Sequence, residues 1–219
     1  MNVLDIFSGI GGFSLGLERA GMQTVAFCEI DRYCRSVLAK HWPGVPIHRD
    51  IRALRGIPLS GLVAGGESSG VSGHELEPCL RPDWIVVENI AHRWRAWVPE
   101  LRRQLWVLGY ASLPIRMRAV SLGANHKRAR IFVIANADGE RLAEFQRQLS
   151  KAETYGDVVA RANNWWKTNP GVRRVDDGLS GAVDCVRSIG NAVVPFFPEI
   201  IGRAIMKARL ENETGAKQP

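Results

Sequence analysis

The sequence predicts an α/β protein built on a mainly parallel sheet. Short apolar runs alternate with amphipathic stretches through its first third, and glycine or polar residues close each run. The 219 residues suit one domain of ordinary size with a substantial core, with room for a small appendage but not for two full domains.

VLDIF (Val3 to Phe7) is expected as a buried strand, and SGIGG turns from it into FSLGLERAG, a helix stopped at Gly21. QTVAFCEI (Gln23 to Ile30) is expected as the second strand and DRYCRSVLAKHW as the second helix. GLVAGG (Gly61 to Gly66) and DWIVVENI (Asp83 to Ile90) follow as further strands. ELRRQLWVLGY is helical by its spacing, with Leu101, Leu105 and Leu108 near one face and a glycine stop. SLPIRMRAVSLG and RIFVIANA are expected as two strands around a polar turn that carries NHKRAR. After Asp138 comes the helical-looking GERLAEFQRQLSKAE. TYGDVVARANNWWKTNPGVRRVDDGLSGAVD then looks polar and rich in turn residues. PFFPEIIGRAIMKARL has the spacing of an amphipathic helix, followed by a frayed tail, ETGAKQP.

Composition narrows the functional classes. No apolar run approaches the roughly 20 residues that span a bilayer, and MNVLDIF lacks the basic start and apolar stretch of a signal peptide, so a cytoplasmic protein is expected, with no membrane partner. Cys28, Cys34, Cys79 and Cys185 form no CxxC pair and have no His at zinc-finger spacing, so they are taken as reduced thiols and no metal site is expected. The formal charge of +7 favours a polyanionic partner.

DIFSGIGG sets small residues between a strand and a helix, where bare backbone can approach a nucleoside and the helix N-terminus favours negative charge. Taken alone, this is equally a glycine turn for tight packing. Glu29, at the end of the second strand about 20 residues on, stands where a carboxylate can take both ribose hydroxyls. Asp50 ends the third unit in a similar way. Three acceptor-bearing strand ends in register describe a nucleoside-type cofactor crevice.

These stretches carry a resemblance to the DNA cytosine-5 methyltransferases. DIFSGIGG, CEID, HRDI, VENI, HKRARIFVIA and RSIGNAVVP resemble the first, second, third, sixth, eighth and tenth motifs of that family, in its order. The resemblance implies a Rossmann-like S-adenosylmethionine-dependent methyltransferase sheet with a reduced target-recognition segment. It implies a catalytic and cofactor-binding domain over residues 1–138, a small recognition-like segment over 139–181 and a C-terminal segment over 182–219 that returns to the first. Phe7, Ser8, Gly9, Ile10, Gly11, Gly12, Glu29, Ile30, Asp50, Ile51 and Gly66 would contact S-adenosyl-L-methionine, with Asn191 and Ala192 closing the pocket. Glu88 would hold the Watson-Crick edge of a flipped cytosine, accepting from the 4-amino group and, when protonated, donating to N3. Arg128 and Arg130 suit phosphate and the target nucleotide, the plainer alternative being a solvated basic turn.

The family's fourth motif departs most. Where it has GG, a variable residue and Pro-Cys-Gln, this chain has Gly65, Gly66, Glu67, Ser68, Ser69 and Gly70, with Ser69 at the position of the nucleophilic cysteine. A serine hydroxyl adds poorly to C6 of cytosine without a strong base, and a glutamate of ordinary pKa, about 4.3, is too weak for that task. Three readings follow. Methyl transfer to the exocyclic N4, which needs no covalent intermediate, would use Glu67, Ser68 or Ser69 as acceptors beside Glu88, and is favoured because the cofactor motifs are intact. Transfer to C5 would rest on Ser69, on Cys79 or on a replaced residue at position 69. A catalytically inactive homologue would bind DNA or cofactor without turnover. A small-molecule methyltransferase or a nucleotide-binding oxidoreductase on the same sheet would need neither HKRAR nor the basic charge. DNA is therefore the expected partner. Arg161, Trp165, Trp166 and Lys167 in the short recognition segment suit DNA contact, or else the tryptophans anchor a loop on the core. So small a segment suggests a short target sequence or a second subunit, a homodimer being the candidate.

Overall fold

The structure is a computed structural model that describes residues 1–54, 61–66, 82–124, 126–168 and 193–215, with the backbone alone over 61–66 and 212–215. Seven strands form one sheet: β1 (Asn2–Ile6), β2 (Gln23–Cys28), β3 (Ile47–His48), β4 (Gly61–Gly66), β5 (Trp84–Ile90), β6 (Ala111–Arg118) and β7 (Ala129–Asn136). Their order is β3-β2-β1-β4-β5-β7-β6. The first five run parallel, and β7 is antiparallel to both β5 and β6. This is a Rossmann-like sheet, and the chain switches direction between β1 and β4, where such sheets bind ligands at their carboxyl ends.

The helices are α1 (Gly12–Arg19), α2 (Arg32–His41), α3 (Trp94–Val107), α4 (Gly139–Ser150), α5 (Ala152–Thr168) and α6 (Phe196–Gly215). Alternation along the strands splits the apolar side chains between two faces. Val3, Trp84, Val86, Phe132 and Ile134 face Phe13 and Leu17 of α1, Phe145 of α4, Val158 of α5 and Phe197 of α6. Their alternates Ile85, Ile131 and Val133 face Val98 and Leu105 of α3, while Leu4, Ile6 and Ala26 meet Leu54. Helices α1 and α6 lie side by side in one direction, in contact through bare glycine. A Cβ on Gly16 would stand 2.2 Å from Pro195 O, and one on Gly202 2.8 Å from the Ala20 methyl.

Four expectations need correction. The stretch from Thr154 through Thr168 is not turn-rich but forms α5, because Thr154, Val158 and Ala162 recur every fourth residue and bury one stripe against α6. Helix α3, which begins at Trp94, ends before Leu108, and that residue is 45% exposed instead of packed. The strand over SLPIRMR stops at Arg118, and AVSL is a 3-10 turn closed by Gly123 at φ 82. The last helix runs on to Gly215 through the first residues of the expected tail. None of the helices among the described residues is long and apolar enough to cross a membrane.

Candidate functional site

The site grows from the end of β1. Phe7, Gly9 and Gly11 adopt left-handed φ values of 56, 54 and 86, three within five residues. A non-glycine residue there carries strain of about 1–3 kcal/mol, so the surroundings must hold Phe7 in place. They do so through hydrogen bonds. Ser8 Oγ donates to Asp5 O at 2.6 Å, and the Gly9 N–H donates to Glu29 Oε2 at 2.7 Å. Gly11 also meets Trp42, whose ring would lie 2.5 Å from an added Cβ.

Asp5 was not foreseen as part of this arrangement. It is fully buried beneath the turn and accepts from Ser14 Oγ at 2.7 Å and Ser14 N–H at 3.3 Å, tying α1 to β1. Burial pushes its carboxyl up to about 7 against the lowering effect of Ser14. The signal in the sequence was an acid inside the apolar run VLDIF, in phase with Val3 on the α1 side.

Helix α1 opens on Gly11, which offers no side chain to cap it, and its first turn carries no acid. Such an end favours a carboxylate or phosphate from a ligand. Glu29 lies beside it at 8% exposure with both oxygens engaged, Oε1 accepting from Asp31 N–H at 2.7 Å. Each oxygen keeps a second lone pair for a ligand hydroxyl. Ile30 projects from the rim at 82% exposure, an apolar shelf of the kind that meets a base. Asp50 stands two residues beyond β3, half exposed. Its hydrogen bonds with Arg52 hold the carboxyl down at about 2. Ile51 packs beneath it against the Leu4 cluster.

The second half lies across the sheet. Gly65 pairs with Ile6 and Gly66 with Glu88, so the glycine turn and Glu88 are about two strand spacings apart, roughly 10 Å. Glu88 is 6% exposed, with Arg130 Nε 2.6 Å from its Oε1. Burial raises its carboxyl to about 7, even though Arg130 and Arg128 pull it down. The antiparallel register sets Arg130 opposite Ile90, two residues from Glu88 and therefore on the same face. Arg128 is half buried, and burial and the neighbouring Arg130 lower its guanidinium. The Arg128 backbone N–H donates to His126 Nδ1 at 3.4 Å, and burial keeps that imidazole below its usual range.

The structure thus brings Phe7 to Gly12, Glu29, Ile30, Gly66, Glu88, Arg128 and Arg130 to the carboxyl edge of the sheet. Asp50 and Ile51 flank them. Glu67, Ser68, Ser69, Asn191 and Ala192 lie outside the described residues, as do Cys79 and Cys185. Cys28 and Cys34 are buried and outside any disulfide, and burial raises Cys28 to about 11, which leaves it protonated and inert. Trp166 packs on the main core while Trp165 remains 44% exposed, so the pair combines an anchor with an open ring.

Residues 1–66 match the family described as C-5 cytosine-specific DNA methylase. The chain is 32% identical over 163 residues to the Type II methyltransferase M2.BsuMI of Bacillus subtilis (strain 168), covering 62% of this chain and 42% of that protein. It is 24% identical over 193 residues to the Type II methyltransferase M1.HphI of Haemophilus parahaemolyticus, covering 73% and 52%. The chain therefore spans about half the length of these curated relatives. The methyltransferase EhMeth of Entamoeba histolytica superposes with a TM-score of 0.62 at 12% identity, over 94% of this chain and 98% of that one, and shares the fold.

Proposed function

We propose that the chain, whose residues 1–66 match the C-5 cytosine-specific DNA methylases, is an S-adenosylmethionine-dependent DNA cytosine methyltransferase that transfers to the exocyclic N4. The observation that carries the reading is the buried Glu88 beside Arg130 and Arg128, two strands from an uncapped helix N-terminus that fits a nucleoside cofactor. S-adenosylmethionine supplies the methyl group. The cradle of Gly9 and Gly11 suits its backbone approach, the first turn of α1 its carboxylate, Glu29 its ribose and Ile30 its base.

Glu88 then reads cytosine. Protonated, it donates to N3 while its other oxygen accepts from the 4-amino group. Arg128 and Arg130 offer donors to the flanking phosphate and to the base. As the methyl group leaves the sulfonium for N4, the amine loses a proton, which the Glu67 carboxylate would take while Ser68 and Ser69 accept hydrogen bonds from the amine. Ser69 in place of a thiol favours this direct route over addition at C6. Residues 139–181 are the proposed recognition segment, of which α4 and α5 form the first part. A second subunit, in the simplest case another copy of this chain, completes the DNA contacts.

The test is transfer of labelled methyl groups from S-adenosylmethionine to unmethylated DNA of mixed sequence. We expect incorporation by the wild-type protein and a loss of at least about 100-fold in Glu88→Ala, the scale of a lost preorganised hydrogen-bond donor. Equal incorporation by the two proteins would remove Glu88 from the reaction.

A further inference from the structure

Beside the proposed site, on the helical layer, lies a second feature built from residues that the reaction does not use. A groove of about 500 Å³ opens between the end of α1, the second half of α5 and the start of α6. Arg19, Arg161 and Arg203 line it together with Trp165 and Phe196, and Glu199 lies at its base. The size is that of a site for one nucleotide-sized group.

Its charges are arranged in advance. Glu199 is fully buried, and its Oε1 accepts from Arg161 and, at 3.0 Å, from Arg203. Asp157 accepts from Arg203 at 2.6 Å on the outer side. Two guanidinium groups are thereby fixed by carboxylates, yet both stay partly exposed, at 46% and 28% of their side chains. Arg19 faces them from α1, 5.7 Å over the Phe196 ring, and has no carboxylate partner among the described residues. Three guanidiniums against two carboxylates leave a net positive groove. Its open wall is the exposed ring of Trp165, 6.5 Å from Phe196. Fixed cations beside an open aromatic face match a phosphate and a base in one ligand.

A line of contacts links the groove to the candidate site. Trp165 meets Trp166 at 4.6 Å, Trp166 meets His126 at 5.1 Å, and the Arg128 backbone N–H donates to His126 Nδ1. A strand whose cytosine lies at Glu88 would pass Arg128 and run along this aromatic line.

We propose that the groove between α1, α5 and α6 binds a nucleotide of the DNA strand flanking the target cytosine, with its phosphate on Arg19, Arg161 and Arg203 and its base against Trp165. The inference rests on DNA being the substrate.

The experiment measures binding of a fluorescent unmethylated duplex across a range of salt concentrations, for wild type, Arg19→Gln, Trp165→Ala and Lys40→Gln. Arg19 and Trp165 are exposed, and circular dichroism checks that each variant folds. Lys40, exposed on α2 and not part of the groove lining, controls for the loss of one charge. Arg19→Gln is expected to weaken binding several-fold and to lower the slope of log affinity against log salt by about one. Trp165→Ala is expected to lose about tenfold, the scale of one base stacked on an aromatic ring. Lys40→Gln is expected to bind like wild type. If wild type binds DNA while Arg19→Gln and Trp165→Ala bind as tightly and with the same salt slope, the groove is not a DNA site, although the methyltransferase reading stands. If Arg19→Gln and Lys40→Gln lose affinity equally while Trp165→Ala binds like wild type, net charge explains binding and the groove is again excluded. If wild type itself fails to bind DNA, both readings fall.

Discussion

Glu88 sets the pH behaviour of the proposed reaction. Burial raises its carboxyl to about 7, so the form that donates to cytosine N3 is populated below that value and lost above it. Transfer should therefore fall as pH rises through about 7, with one titration in kcat/KM. Glu88→Gln keeps an N–H donor and a C=O acceptor at every pH, so its residual rate should be flat over the same range. A wild-type profile that stays level to pH 9 would show that the carboxyl is not the N3 donor. Ser69 offers a second test. With a thiol restored there, Ser69→Cys is expected to form a denaturation-resistant adduct with DNA carrying 5-fluorocytosine, which the wild-type protein should not form. An adduct with wild type would mean that a nucleophile already operates.

Among the elements, the contact between α1 and α6 is the most exacting. An added methyl on Gly16 would meet Pro195 O at 2.2 Å and the Glu199 N at 2.9 Å, both backbone, so neither neighbour can swing aside. Gly16→Ala is expected to cost about 1–3 kcal/mol in chemical denaturation, because α6 must shift off α1. A loss below about 0.5 kcal/mol would show that the helices are not in register contact. This contact also marks what the sequence could reveal. The strands at VLDIF, QTVAFC and WIVVENI were legible because apolar runs between glycine and polar stops have few other uses. Helix α5 was not, because Gly156, Asn163 and Asn164 resemble turn residues, and only packing against α6 reveals the stripe Thr154, Val158 and Ala162. Glu29 and Glu88 were legible as strand-end acids. The roles of Asp5 and Glu199 were not, since each depends on partners that the fold brings from elsewhere in the chain, Ser14 for one and Arg161 for the other.

For the whole molecule, two buried carboxyls shape stability. Asp5 and Glu88 are raised from 3.8 and 4.5 to about 7, so the folded state keeps protons that the unfolded chain releases across that window. Stability should be highest below pH 4 as far as these two groups are concerned, and should decline as pH rises to about 7. Asp50, held low by Arg52, acts in the opposite sense at more acidic pH, but it is exposed and weakened by solvent. Thermal denaturation of wild type and Glu88→Gln between pH 5 and pH 8 checks this, the variant being expected to lose less stability across the range. An equal slope in both proteins would show that Glu88 titrates normally. The glycine turn and the Glu88 cluster lie on one edge of the sheet, and the central claim is that this edge methylates cytosine without a thiol. The most direct measurement is to incubate the protein with S-adenosylmethionine and unmethylated DNA, digest to nucleosides and separate the products by chromatography and mass spectrometry. The account predicts N4-methyldeoxycytidine. Recovery of 5-methyldeoxycytidine, or of no methylated base from a protein that binds both DNA and cofactor, would contradict it.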